Sequence, residues 1–257
     1  MSSVLISTLL TGALSALAYW RNVLTWDGSL AAFVVGMVIG IFGDVTWLFL
    51  LLFFLLSSFF ATRYRFSLKQ ALGVQEGIRG ERRATNVVAN GAALMAVAVA
   101  SLVLPTRLPK VASGVIFLSA LSVAGADTLA SEIGVLSRKT YLITTGKAVP
   151  PGTDGGVSGL GTLCALGAAL YTSVVGWFIL SYISTNYGLV PSMPASPVYL
   201  IIPLGIGFLG CQIDSVIGAT LERRGLVNKK TNNLVSTASG AILAYLILLA
   251  AGPLPMA

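Results

Sequence analysis

The chain has 257 residues, of which 56% are hydrophobic and only 10% charged, and its mean hydropathy is +0.88. Soluble domains carry about 25% charge, so the composition excludes a soluble globular protein and describes an integral membrane one. Histidine is absent, which removes the commonest general base, the commonest zinc ligand and any serine–histidine triad.

Long apolar runs of about 20 residues indicate helical spans rather than the weak alternation of a barrel. The expected fold is an all-α, polytopic transmembrane bundle of about eight spans, forming one domain over residues 1–257. The first span covers about 1–18 and is followed by the interfacial anchor Tyr19-Trp20-Arg21, so it is expected to be retained rather than cleaved. The second, about 29–43, is short and glycine-rich, and the third, 45–62, is nearly all Leu and Phe. A hydrophilic loop, 63–84, carries six basic residues (Arg63, Arg65, Lys69, Arg79, Arg82 and Arg83) before the fourth span, about 85–104. The fifth runs from about 111 to 127, and the sixth from 160 to 183. A charge-free, proline-rich link, 184–197, leads to the seventh span, about 198–219, and a basic turn, 221–230, to the eighth, 233–251.

Basic residues orient such a chain. Fourteen of the sixteen fall on one side of this arrangement, and only Arg107 and Lys110 on the other. That asymmetry puts both termini outside and makes 125–160 face the cytoplasm. The net charge of +7 is therefore read as orientation and contact with anionic lipid, with no nucleic-acid partner expected. The two cysteines, Cys164 and Cys211, have neither metal-ligand nor disulfide spacing and read as helix-packing residues.

Chemistry concentrates in 125–160, which holds three of the nine carboxylates in otherwise apolar surroundings. Asp127 and Asp214 form a pair of like settings. Each lies 17 residues past the residue before its span (Lys110 and Pro197), about 25 Å along a helix, and each precedes a hydroxyl, Thr128 or Ser215. Asp214, Gly218 and Glu222 recur at i, i+4 and i+8 on one face, and Asp127 shares a face with Ser131. A carboxylate in a span is costly unless it is paired or lines a polar cavity. Asp127, Glu132, Asp154, Asp214 and Glu222, without histidine, form an oxygen donor set suited to Mg²⁺.

The segment from Lys147 to Ser158 suits phosphate. Gly152, Thr153, Gly155 and Gly156 let backbone N–H groups approach an anion, Ser158 opens the sixth span, and Lys147 supplies a point charge. The Walker spacing is absent. Arg82, Arg83 and Arg138 are candidates to stabilise a transferring phosphoryl group. Asn86 and Asn90, at i and i+4 in an apolar helix, need partners and are expected to face the same cavity. Asn232 and Asn233 raise the same expectation, or cap the eighth span.

GERRATNVVANG, GADTLASEIGVLS, LITTGKAVPPGTDGGVS and IDSVIGATLE, in that order, resemble the polytopic membrane family that includes plant phytyl-phosphate kinase, over nearly the whole chain. The resemblance implies phosphorylation of an isoprenyl monophosphate, such as phytyl or geranylgeranyl phosphate, to its diphosphate by a nucleoside triphosphate. The loop around Lys147 is also similar to loops of membrane CTP users, which favours CTP. The alternatives are a CDP-lipid-forming cytidylyltransferase, which would use the same metal and loop, and a transporter using its buried carboxylates for ion coupling.

Overall fold

A computed structural model describes residues 2–104, 109–183 and 198–251. Arg107 and the proline-rich link 184–197 lie outside the described residues. Nine α-helices occur among the described residues: α1 Ser2–Trp20, α2 Trp26–Val38, α3 Val45–Arg63, α4 Phe66–Ala71, α5 Ala84–Val103, α6 Lys110–Gly134, α7 Gly159–Phe178, α8 Val198–Ile217 and α9 Lys229–Ala250. Three of them end in a π-helical turn: α2 in Ile39–Gly43, α7 in Ile179–Ile183 and α8 in Gly218–Glu222. Seven helices are long and apolar enough to cross a membrane, while α1 is a shorter apolar helix. The expected helical bundle is thus observed, with the first of the eight expected spans being the short one.

Helix starts are set by local chemistry. Thr25, Asp44, Ser158 and Asn228 each place a side-chain oxygen on a free N–H of the first turn of α2, α3, α7 and α9. Because Asn228 caps α9, Asn232 and Asn233 lie inside the helix. They do not cap it.

The bundle is built around α6. Its apolar window is 89% buried, whereas no other span exceeds 50%. A helix apolar on every face belongs in a core, and α6 from Ala112 to Ala126 is such a segment. Small residues let its neighbours close in: a side chain at Gly210 of α8 or Gly240 of α9 would run into Val123.

Two parts of the sequence fold differently from expectation. Asp127 and Glu132 were expected at and beyond the end of a span, but α6 continues unbroken to Gly134, so both are helical. The hydrophilic segment that follows is not a free link. It folds into three short strands, β1 Thr140–Leu142, β2 Ala148–Val149 and β3 Gly156–Val157, ordered β2-β1-β3, with Tyr141 paired antiparallel to Ala148 and to Val157. Likewise the loop 63–84 contains α4 and is pinned at its far end by a parallel bridge between Leu24 and Arg82.

Candidate functional site

At one end of the bundle, α6, α8, α9, the small sheet and the segment 73–76 enclose a cavity of about 300 Å³. Six carboxylates line it: Glu76, Asp127, Glu132, Asp154, Asp214 and Glu222. All five acidic residues singled out in the sequence are therefore in one place, together with Ser131, Ser215, Asn232, Gly152, Thr153, Gly155, Gly156 and Ser158.

Asp127 on α6 and Asp214 on α8 stand within hydrogen-bonding distance of each other. Two carboxylates that close repel unless a proton or a cation lies between them. Asp214 is held from α9: Ser236 Oγ donates to its Oδ1 at 3.1 Å, and Asn232 Nδ2 donates to its main-chain oxygen at 3.0 Å and to Glu222 Oε2 at 3.2 Å. The π turn Gly218–Glu222 breaks the strict i, i+4, i+8 spacing, yet Asp214, Gly218 and Glu222 all still face the cavity.

The carboxylates are not equivalent. Glu132 is committed to cations: Lys69 Nζ lies 2.7 Å from its Oε2, Arg82 Nη2 lies 3.9 Å from its Oε1, and Thr62 Oγ1 donates to Oε1 at 2.9 Å. Lys69 is fully buried and also donates to the carbonyls of Ala61 and Thr62, at 2.8 and 3.0 Å. Glu76 accepts from Asn86 Nδ2 at 2.6 Å and lies 3.7 Å from Lys230 Nζ. Among the described residues, Asp127, Asp154, Asp214 and Glu222 form no salt bridge, and Lys229 lines the cavity and interacts with Asp127, Glu76, Glu132 and Asp214.

Among the described residues, no group of three or more acidic or cysteine side chains is close enough to hold a metal ion by itself. The five-residue metal set is thus not preassembled. Glu132 is held by Lys69, and Asp154 stands at the solvent-exposed rim. The Asp127–Asp214 pair, with Glu222 nearby, still supplies hard oxygen donors. That fits Mg²⁺ in the manner usual for phosphate enzymes, one or two carboxylates with the remaining positions left to phosphates and water.

The glycine loop, besides lining the cavity, has a packing use that its composition does not suggest. Gly155 adopts a positive φ of 72°, and a Cβ there would overlap the main chain of Ala219, while a Cβ at Gly218 would come 2.8 Å from the Gly155 nitrogen. Main chain packs on main chain, so these glycines dock the sheet onto the end of α8. Ser158 Oγ accepts from Gly161 N at 3.1 Å and donates to the Gly134 carbonyl at 3.2 Å. It therefore caps α7 and ties that helix to the end of α6. Replacing Gly155 by Ala is expected to destabilise the protein by at least about 1–2 kcal/mol from the left-handed backbone alone, with further loss from the overlap. Gly152→Ala shares the left-handed backbone strain (φ 82°) but meets only the Val74 side chain and should cost less; thermal unfolding of the two variants in detergent measures the difference.

Lys147 sits on the connection between β1 and β2, next to Gly146 (φ 66°), and its side chain is exposed rather than cavity-lining. Arg83 and Arg138 are also exposed and outside the cavity lining. Thr128 is buried in α6 but does not reach the cavity. Asn90 donates to the Asn86 carbonyl at 3.1 Å, and both asparagines line a separate apolar cavity, as does Arg82. Residues that sequence reasoning passed over are Glu76 and Ser236, with Lys69, Lys229 and Lys230 read only as orienting charges. The available signal was a glutamate between two loop glycines and a lysine pair at a helix start.

Glu76 carries a pH prediction. Burial by itself raises its carboxyl above the ordinary 4.5, but Lys230, Asn86, Lys229 and Arg82 together outweigh burial and hold it below that value. A lowered folded pKa means that the stabilisation is complete above about pH 4.5 and is lost as pH falls through the lower folded value. Acidification is therefore expected to release the segment 73–76, seen as faster amide hydrogen exchange there, and Glu76→Gln should abolish that acid dependence.

The chain matches the family model for the integral membrane protein DUF92 over residues 9–246. It belongs to that family. Among its relatives is an uncharacterized membrane protein, sll0875, of Synechocystis, 34% identical over 95% of this chain and 89% of the relative. The chloroplastic protein VTE6 and the protein PGR, both of Arabidopsis thaliana, are each 30% identical. VTE6 matches over 87% of this chain and 65% of its own length, PGR over 86% and 80%. No solved structure matches the chain.

Proposed function

We propose that the protein is a membrane kinase that transfers the terminal phosphoryl group of a nucleoside triphosphate, CTP favoured, to an isoprenyl monophosphate such as phytyl or geranylgeranyl phosphate, yielding the diphosphate. The observation that carries this reading is the cavity at one end of the bundle, lined by Asp127, Asp154, Asp214 and Glu222 together with Lys229, which interacts with Asp127 and Asp214. The motifs' resemblance to the family that includes plant phytyl-phosphate kinase supports it. The asymmetry of basic residues supports a cavity opening to the cytoplasm.

The chemistry asks little of the protein. An acceptor phosphate is mostly dianionic at neutral pH, its second pKa being about 6, so its oxygen attacks the terminal phosphorus without a strong base. The bond to the bridging oxygen breaks, and the nucleoside diphosphate leaves with that electron pair. Charge stabilisation and alignment are what such a loose transition state needs. Mg²⁺, held by Asp127 and Asp214 with Glu222 beside them, would neutralise phosphate charge. Lys229 would meet the transferring group, in the role first assigned to Arg82, Arg83 or Arg138. Ser131, Ser215 and the start of α7 complete the polar wall.

The purified protein, given geranylgeranyl phosphate, Mg²⁺ and each triphosphate in turn, is expected to release nucleoside diphosphate in step with isoprenyl diphosphate. Pyrophosphate release with a CDP-lipid product would replace the kinase by a cytidylyltransferase, and no product with any triphosphate would reject both.

A further inference from the structure

The separate apolar cavity, about 120 Å³, lies between α1, α2, α3 and α5, with Leu14, Val35, Leu51, Phe54, Leu55 and Leu94 among its walls. Its lining is otherwise apolar apart from a few hydroxyls and three polar residues, Arg82, Asn86 and Asn90. The partners of two of these belong to the acidic cavity. Arg82 reaches Glu132 at 3.9 Å, Asn86 donates to Glu76 at 2.6 Å, and both glutamates line the acidic cavity. The two cavities therefore meet back to back across two side-chain pairs, one of them carrying a guanidinium.

An apolar chamber that ends on a guanidinium beside a phosphoryl-transfer site fits an amphiphile with an anionic head. We infer that this cavity holds the first part of the prenyl chain of the lipid phosphate, with the phosphate at Arg82 and Asn86. The inference rests on the kinase reading for the identity of the head group. From Asn86 to Leu94 the lining of α5 runs about 12 Å along the helix, so the chain lies along the membrane depth with its remaining length toward the lipid. Arg82 is then a substrate-binding residue, and its contact with Glu132, itself anchored by Lys69, sets how near the head group comes to the Asp127–Asp214 pair. Two buried hydroxyls in the wall, Thr11 and Ser58, have no hydrogen-bond partner among the described residues.

Ser58 offers a direct probe. In the Ser58→Cys variant, modification of position 58 by N-ethylmaleimide is followed peptide by peptide, which separates it from Cys164 and Cys211. Geranylgeranyl phosphate is expected to slow it by about tenfold or more, whereas inorganic phosphate or geranylgeraniol alone should slow it much less. Equal protection by geranylgeraniol or by phosphate, absence of protection, or an unreactive position 58 without ligand would each overturn the assignment. Labelling needs neither nucleotide nor turnover, so a failed kinase assay and a failed tail site are told apart. In the kinetic arm, Ala32→Phe, which fills the cavity from α2, should raise the KM for the lipid phosphate about tenfold and leave the KM for nucleotide unchanged. An unchanged lipid KM in that variant contradicts the site.

Discussion

Asp214→Asn and Asp127→Asn are each expected to reduce turnover by about a thousandfold, about 4 kcal/mol in the barrier, with the protein still folded. The two carboxyls stand within hydrogen-bonding distance at the closed end of the cavity. Asparagine keeps the size and most of the hydrogen-bonding capacity, including acceptance from Ser236 Oγ, but removes the charge that binds a cation. That difference separates the two readings of the pair. If it only braces α6 against α8 through a shared proton, the amide substitutes and activity survives. If it holds Mg²⁺ against phosphate, activity falls and the Mg²⁺ concentration needed for half-maximal rate rises. Ser236→Ala, which removes only the 3.1 Å bond to Asp214, should cost much less.

The second large effect is on stability. Lys69→Met removes the ammonium that serves Glu132 Oε2 and the carbonyls of Ala61 and Thr62. Glu132 is then left buried with the Thr62 hydroxyl and the more distant Arg82 and Lys229, and breaking one partner of a buried pair costs about 3–5 kcal/mol. The Lys69→Met/Glu132→Leu double variant should recover much of that loss, because it buries no unpaired charge. Unfolding in detergent by heat or denaturant measures all three. A double variant no better than Lys69→Met would mean that the pair is not the source of the loss.

How much of this was legible beforehand differs from residue to residue. Asp127 and Asp214 were readable because an equal distance along two spans puts them at one depth, and a carboxylate at that depth needs a partner. The remaining members of the acidic set followed from sharing a membrane face. Two things were hidden. Gly155 looked like a phosphate-binding glycine because composition cannot show that its partner is the π turn at Ala219, on another element. Lys147 looked like a ligand because spacing along a loop does not say which way a hairpin points; once β1 and β2 pair, it is carried away from the cavity. The committed pairs Lys69–Glu132 and Asn86–Glu76 were invisible for the same reason, since they join the loop before α5 to α6 and to the start of α5 only after folding.

Those pairs also separate the roles of the carboxylates. Glu132 and Glu76, held by Lys69 and Lys230, carry Arg82 and Asn86 in the wall between the two cavities, where the lipid phosphate would sit. On the proposed reading, Asp127 and Asp214, with Glu222 and Lys229, would take the nucleotide's phosphates. Carboxylates alike in the sequence are thus told apart by what each one touches.

The most direct test follows the label of a triphosphate carrying radioactive terminal phosphate, with geranylgeranyl phosphate and Mg²⁺, in the wild type and in Asp214→Asn side by side. The label is expected to enter the lipid diphosphate with the wild type and to be reduced about a thousandfold with the variant. Label transferred equally by both proteins, or appearing only in pyrophosphate, would contradict that expectation.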